Sequence, residues 1–590
     1  MDLQLAIIGN SRIGALVDGA ARVVWMCVPA FDGDPVFCSL LEPRCGGGAF
    51  SIELDGCASI EQAYLPNTAI LSTRMRAGDA AVEILDFAPR FYQFGRLFTP
   101  VSLVRVVRVL SGRPRVRVLF EPTCEYGDRR PAMAWGSNHV RAEVPGYPLR
   151  LTTDAPVTRI VQQEHFLLEG SMSLLLGPDE PLAEDPSAVG RRMFEETRTY
   201  WQRWVRSLAI PFEWQDAVIR AAITLKLNAF DDTGAICAAL TTSIPESADS
   251  GRNWDYRHCW LRDAYFVVNA LNRLGATASM ESYLRYLENI VAADPQGPLQ
   301  PVYSLAGRTR LEERTVPGLA GYRSMGPVRV GNDAWRQTQN DAYGAAILGV
   351  SHAFFDLRLA RRGDARLFAQ LEALGERAWA LHASPDAGIW EYRGRTAVHT
   401  FSSLMCWAAC DRLARIAASL QMTVRAQFWS ERARAIHASI CENAWSEALG
   451  SFSGIFGRDQ IDASLLTMVQ LRFLAPGDPR LLGTVRAVES ALSRGDFLLR
   501  YAEPDDFGEP ETAFIVCTLW LVQALAAIGE RDRARSLFET VLSRRNRFGL
   551  LSEDIDVRTG ELWGNFPQTY SMVGIINCAI ELSIDWEEAV

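Results

Sequence analysis

The sequence predicts a multidomain fold, an N-terminal antiparallel β-sandwich followed by an α/α barrel. Three observations carry this. Up to about Pro186, short apolar–polar alternations are separated by turn residues. Beyond that point the apolar residues recur at helical spacing. The later helices also alternate between segments apolar nearly all round and segments with one wet face, as inner and outer helices of a closed double ring would. A length of 590 residues exceeds one ordinary core and fits two or three domains.

Among the strands, "SLVRVVRVLSGRPRVRVLFEP" alternates valine and arginine around Ser-Gly-Arg-Pro, the pattern of a hairpin with one wet face. "AVEILDFAPRF" and "HFLLEGSMSLLLGP" add short strands at sandwich spacing. The β domain is expected over 1–186, and the amphipathic "PSAVGRRMFEETRTYWQRWVRS" predicts a linking helix within 187–212. The barrel then fills 213–590. "TAFIVCTLWLVQALAAIG" and "SSLMCWAACDRLARIAASL" read as inner helices; "RDRARSLFETVLSRRN" and "TVRAQFWSERARAIHASICENAW" read as outer ones.

Composition narrows the function. Hydrophobic residues make up 48% and charged residues 22%, an ordinary globular balance. With a net charge of −10 and no basic run, nucleic acid and anionic membranes are poor partners. The single lysine, Lys226, lies in an apolar helical stretch, so no phosphate-binding G-x-x-x-x-G-K-[ST] loop exists. Twelve cysteines, Cys45 among them, are scattered without a C-x-x-C pair, and most read as small core residues. Neither a signal peptide nor a transmembrane run is expected, which fits a cytoplasmic protein. No metal or other cofactor is expected, and assembly into a homo-oligomer is compatible with the sequence.

Chemistry is concentrated in the connections between helices. In "DAGIWEYRG", Glu391 follows Trp390; a carboxyl packed on an indole loses hydration and can keep a proton, as a general acid must. A solvated turn glutamate beside a packing tryptophan gives the same letters. In "GLLSEDIDVRTGELWGNFPQTYS", Glu553, Asp554 and Asp556 crowd one loop and could supply a base, or could be turn chemistry; the spacing of a calcium loop is missing. "NWDYRHCWLRDAYF" sets Arg262 and Asp263 beside Tyr256 and Trp260. Sugars want that pairing, since hydroxyls take forked donors and acceptors while pyranose faces stack on rings. A structural Arg–Asp network at a helix start remains the alternative. "LLRYAEPDDFGEPETAF", headed by Arg500, repeats the theme or is a solvated acidic loop, and "VGNDAWRQTQNDAYG", with Gln337, Gln339, Asn340 and Asp341, could line a hydroxyl-rich pocket or cap a helix. Two separated carboxylates without a metal motif are the requirement for hydrolysing a glycosidic bond.

On these segments the chain resembles glycoside hydrolase family 15, in its bacterial trehalase/glucoamylase-like branch. "IGNSRIGALVDGAARVVWMCVPAFDGDPVFCSLL" is similar to the trehalase-like N-terminal domain, and "GRNWDYRHCWLRDA" to the family's W-x-R-D segment. "GIWEYRG" and "GLLSEDIDVRTGELWGNFPQTYSMVGIINCA" resemble the segments bearing the general acid and the general base. The resemblance implies an (α/α)6 barrel and an inverting hydrolase, with Glu391 as acid and Glu553 as base. It implies that Tyr256, Trp260, Arg262, Asp263, Trp390 and Arg500 bind substrate. The substrate would be an α-glucoside, trehalose first, with maltose, isomaltose or a short dextrin as alternatives; a non-catalytic carbohydrate-binding protein is the remote one. Phe401, Ser402 and Ser403 depart from the family's His-Ser-Lys-like run, and Asp554 replaces a glutamate.

Overall fold

The computed structural model describes residues 2–42, 47–294 and 297–589. The N-terminal part holds two large antiparallel sheets besides the two-stranded pair of Phe91–Gln93 and Arg96–Phe98. One carries Ala6–Gly9, Gly14–Val17, Val23–Val28, Ala49–Leu54 and Arg115–Glu121 in that order. The other runs from Met133–Trp135 through His139–Ala142, Leu149–Thr153, Met172–Pro178, Leu103–Ser111, Ala80–Phe87 and Leu71–Ala77 to Ser59–Tyr64. Alternation gives each strand two faces, and the two sheets bury theirs in a shared core. The rings of Phe37, Phe50 and Phe120 meet there at 5.6–6.2 Å between centroids.

The hairpin expected across Ser-Gly-Arg-Pro does not form. Leu103–Ser111 pairs with Ala80–Phe87 and Met172–Pro178, whereas Arg115–Glu121 pairs with Ala49–Leu54 in the opposite sheet. The turn therefore carries the chain from one sheet to the other. Nor is the arginine face uniformly wet. Arg105 is fully buried, forked onto Asp86 at 2.7 and 3.1 Å, and donates to the carbonyls of Phe50 in the facing sheet and of Ala21 in the turn before Val23–Val28. A charge survives in a core only when paired and hydrogen-bonded, as this one is.

A short helix, α1 (Val157–Val161), packs on Arg115–Glu121. Helix α2 (Pro186–Arg206) starts with Asp185 accepting from the Ala188 amide and proline in its first turn. Its Phe194 joins Leu85, Phe87, Val104 and Val106 and so covers the outer face of the second sheet.

The rest is helical: α3 (Gln215–Asn228), α4 (Leu261–Arg273), α5 (Thr277–Ala293), α6 (Asp341–Ser351), α7 (Ala365–Leu381), α8 (Thr400–Ser419), α9 (Thr423–Asn443), α10 (Thr467–Leu471), α11 (Pro479–Leu492), α12 (Ile515–Ala527), α13 (Arg531–Ser543) and α14 (Thr569–Leu582). Helices α4, α6, α8, α10, α12 and α14 pack each on the next, and α14 returns to α4. The odd-numbered helices lie against them from outside, for example α7 on α6 and α8, and α13 on α12 and α14. Burial follows the predicted polarity. Helix α12 is buried from Ile515 through Leu525, while α13 buries only Ala534, Phe538, Val541 and Leu542. Eleven described cysteines are free and all but Cys57 and Cys441 are buried; Cys45 lies outside the described residues. No described helix is long and apolar enough to cross a membrane.

Candidate active site

One cavity takes its walls from the segments singled out by composition. Helices α4, α12 and α14 begin at it, and the connections before α4, α6, α8, α12 and α14 complete it. Residues 253–260 run extended along 237–243, with the Ser243, Ala239 and Ala238 amides donating to the carbonyls of Trp254, Tyr256 and His258 at 2.9–3.0 Å. Only Cys259–Trp260 of this stretch forms a β-strand, yet the side chains of 254–257 alternate as in one. Trp254 and Tyr256 line the cavity; Asp255 and Arg257, between and beside them, are fully buried and are not among its lining residues. Trp260 ends the strand and caps α4, whose first turn carries Arg262 and Asp263.

Glu391 gathers donors. Its Oε1 accepts from Trp260 Nε1 at 2.6 Å, Gln339 Nε2 at 3.2 Å and Arg262 Nη2 at 3.5 Å. Gln337 Nε2 bonds the Glu391 carbonyl at 3.1 Å. The residue sits at φ 57°, a left-handed conformation that glutamate adopts only when its surroundings hold it there. The indole bonded to the carboxyl is that of Trp260. Trp390 lines the same cavity but packs its ring on Tyr501, Phe514 and Trp520.

Glu553 is the opposite case. It is 1% exposed, Oε1 accepts from Tyr256 Oη at 2.7 Å, and Oε2 has no partner. Burial, then the nearby Glu246 and Asp554, push its carboxyl well above the usual glutamate range. Gly564, at φ 76°, makes room: a Cβ there would meet the Glu553 side chain at 2.6 Å. The acidic loop divides in two. Asp554 is buried and accepts from Thr512 Oγ1 at 3.2 Å, whereas Asp556 takes the Arg558 and Thr559 amides in a turn. Among the described residues no group of three His, Cys, Asp or Glu side chains could hold a metal ion.

Between the two glutamates stand Tyr256 and Trp260, edge to face at 5.4 Å. The deep end of the cavity is a buried charge network. Arg262 reaches Gln339 at 3.0 Å and Asp263 and Asp341 at 3.5 Å. Burial raises Asp263 to about 7 against the pull of Arg262, with Glu391 and Asp341 adding to the rise. The outer end is more open, and the sequence does not show how residues from its separate segments pair. There Arg252 forks onto Asp505 at 2.5 and 2.6 Å, Arg393 lies 4.2 Å over Trp254, and Phe507 is 38% exposed. Arg500 is ion-paired to Glu246, whose other oxygen accepts from Trp254 Nε1 at 3.1 Å. Glu246 comes from "SIPESADS", a polar loop whose single glutamate carries no composition signal. All eight residues expected to act or bind (Glu391, Glu553, Tyr256, Trp260, Arg262, Asp263, Trp390 and Arg500) border this one cavity.

Known families match both parts of the chain. Residues 214–580 match the model of glycosyl hydrolases family 15, and residues 3–166 match that of the trehalase-like N-terminal domain. A trehalase of Mycobacterium tuberculosis is 31% identical over 99% of this chain and 90% of its own. A trehalase of Thermoplasma volcanium is 29% identical over 98% and 92%. A bacterial glucoamylase solved with acarbose superposes with a TM-score of 0.70 at 14% identity, covering 98% of this chain and 93% of the other.

Proposed function

Because the chain belongs to glycosyl hydrolase family 15, and is therefore a glycosidase, we propose that it hydrolyses trehalose to glucose with inversion. The observation that carries this reading is the pair of carboxylates on one cavity. Glu391 and Glu553 are each held by an aromatic donor from the segment 253–260, and neither bonds the other. Glu391 protonates the leaving oxygen, and its donors from Trp260, Gln339 and Arg262 then stabilise the carboxylate that remains. Glu553 takes a proton from water through its unpartnered Oε2, while Tyr256 fixes Oε1. Water attacks the anomeric carbon as the C–O bond to the leaving sugar breaks; its proton goes to Glu553, and the Glu391 proton leaves with the product.

Arg262 and Asp263, at the buried end, hold hydroxyls of the non-reducing glucose. Tyr256 and Trp260 form its wall, and Trp390 and Arg500 flank the cleavage point. The ring of inner helices wrapped by outer ones is read as the (α/α)6 barrel, with the β domain over 1–186 and the linking helix within 187–212. Trehalose is favoured over other α-glucosides by the full-length trehalase relatives.

The experiment is product analysis by NMR at early times. Inverting cleavage of trehalose releases one β-glucose and one α-glucose, because only the attacked carbon changes configuration. Two α-glucose molecules would refute inversion. Turnover of an α-1,4 or α-1,6 disaccharide with trehalose untouched would refute the substrate.

A further inference from the structure

What lies behind Tyr256 gives the N-terminal domain a task. Asp255 and Arg257 flank it in the chain, and both are fully buried. Arg257 forks onto Asp255, Nε to Oδ1 at 2.9 Å and Nη2 to Oδ2 at 2.8 Å. Its other hydrogens go to the β domain. Nη1 donates to the Gly33 carbonyl at 2.8 Å and to Cys27 Sγ at 3.5 Å, and Nη2 to Tyr126 Oη at 3.4 Å. The neighbouring strand is held from the same side, with Trp25 Nε1 donating to the Leu240 carbonyl at 2.7 Å. Gly33 is required for the approach, since a Cβ there would meet the Val28 carbonyl oxygen at 2.1 Å. From the barrel side the Gly331 amide donates to Asp255 Oδ2 at 3.1 Å and Asn332 Nδ2 to the Asp255 carbonyl at 3.3 Å.

One backbone thus carries two sets of bonds. On one side the guanidinium fork is gripped by a neighbouring domain. On the other the Tyr256 hydroxyl meets Glu553 at 2.7 Å. A guanidinium is planar and fixes direction as well as distance, which a flexible ammonium cannot do. Placement matters here, because a shift of about 1 Å in a catalytic group can cost a factor of about 10² in rate. We propose that Arg257 is a positioning residue through which the N-terminal domain sets the Tyr256 hydroxyl against Glu553. The β domain is on this account part of the catalytic apparatus rather than only a support for the barrel. The proposal rests on the hydrolase reading above.

The test uses the whole chain and trehalose turnover across pH. Arg257→Lys keeps a cation beside Asp255 but loses the fork to Gly33 and Tyr126. Tyr126→Phe leaves the Asp255–Arg257 pair intact and removes only the hydroxyl, so it is informative even where the lysine variant folds poorly. Expected for Arg257→Lys is a kcat lower by about 10–100-fold with KM within about twofold, and a shifted pH limb for Glu553. Tyr126→Phe should act in the same direction by about two- to threefold. Both effects should vanish in a Tyr256→Phe background, where the hydroxyl being positioned is gone. Equal factors with and without the Tyr256 hydroxyl would overturn the proposal. So would a lysine variant that melts earlier but keeps the parent kcat and pH profile. An unsubstituted enzyme that releases no glucose from any α-glucoside speaks against the hydrolase reading itself and is measured first.

Discussion

Glu391 and Glu553 face one cavity from unlike surroundings. Glu391 is partly open, with its side chain 23% exposed, and its Oε1 takes three donors. Glu553 is sealed, has one donor, and lies among acids. Two carboxyls in equivalent settings would compete for the same proton. Donors around one and acids around the other make them different groups: burial and the nearby acids favour a proton on Glu553, which the proposed base must release before it can activate water. The contrast also says what each site needs. Glu391 depends on directional bonds, so its neighbours should be intolerant of shape changes. Glu553 depends on its electrostatic surroundings, so its neighbours should tune pH dependence.

The largest effect that could break this contrast is removal of either carboxylate. Glu391→Gln and Glu553→Gln are each expected to lower kcat on trehalose by about 10²–10⁴-fold. The two should then separate on an α-glucosyl fluoride, whose leaving group needs no proton. Glu391→Gln should recover most of its rate there and Glu553→Gln should not; equal recovery would sink the assignment. Next comes Arg262→Lys, which loses the fork joining Gln339, Asp341 and Glu391. A fall of about 10–100-fold in kcat/KM is expected, the value of one to two charge-assisted hydrogen bonds. A near-normal lysine variant would mean that the deep end binds by charge alone.

pH dependence sharpens the other half of the contrast. As the proposed base, Glu553 must be ionised to act, and burial followed by Glu246 and Asp554 raises its pKa. Activity should therefore fall on the acid side at a pH above the ordinary glutamate value of about 4.3. Glu246→Gln removes the leading charged neighbour and should move that limb of the kcat/KM profile to lower pH. An unmoved limb would show that Glu246 does not act on the base.

The parts of this arrangement that could be read from the chain are those in which one residue's surroundings are its sequence neighbours. The inner helix α12 shows its burial directly, because every face is apolar. Trp260, Arg262 and Asp263 sit within one turn of each other, so their shared surface is a local property. The rest depends on partners far along the chain. Arg105 reads as a wet strand position until Asp86 and the facing sheet come to meet it. Glu246 reads as a solvated loop acid until Arg500, 254 residues later, pairs with it. The indole on Glu391 reads as that of Trp390, whereas the bond comes from Trp260, 131 residues earlier. Alternation and composition report the environment a residue prefers; they do not report which segment supplies it.

The smallest expected effect is on stability, and it tests the same contrast without substrate. A group whose folded pKa is raised holds its proton more tightly folded than unfolded. Its contribution to stability is complete below the unfolded pKa and is lost as pH rises through the folded value. Glu553 is such a group, with its direction set first by burial. At neutral pH the parent enzyme must either keep that proton or carry a buried charge with one donor. Glu553→Gln removes that penalty at the same size. The variant should therefore melt higher than the parent, on the order of 1–2 °C at neutral pH for a chain of this length. The gain should widen as pH rises and disappear in acid, where the parent glutamate is itself neutral. Glu391→Gln should show no such gain, since that side chain is partly open to solvent and is bonded by Trp260, Gln339 and Arg262. Equal melting behaviour of the two variants across pH would mean that the two carboxyls sit in equivalent surroundings, and the contrast between them would lose its physical basis.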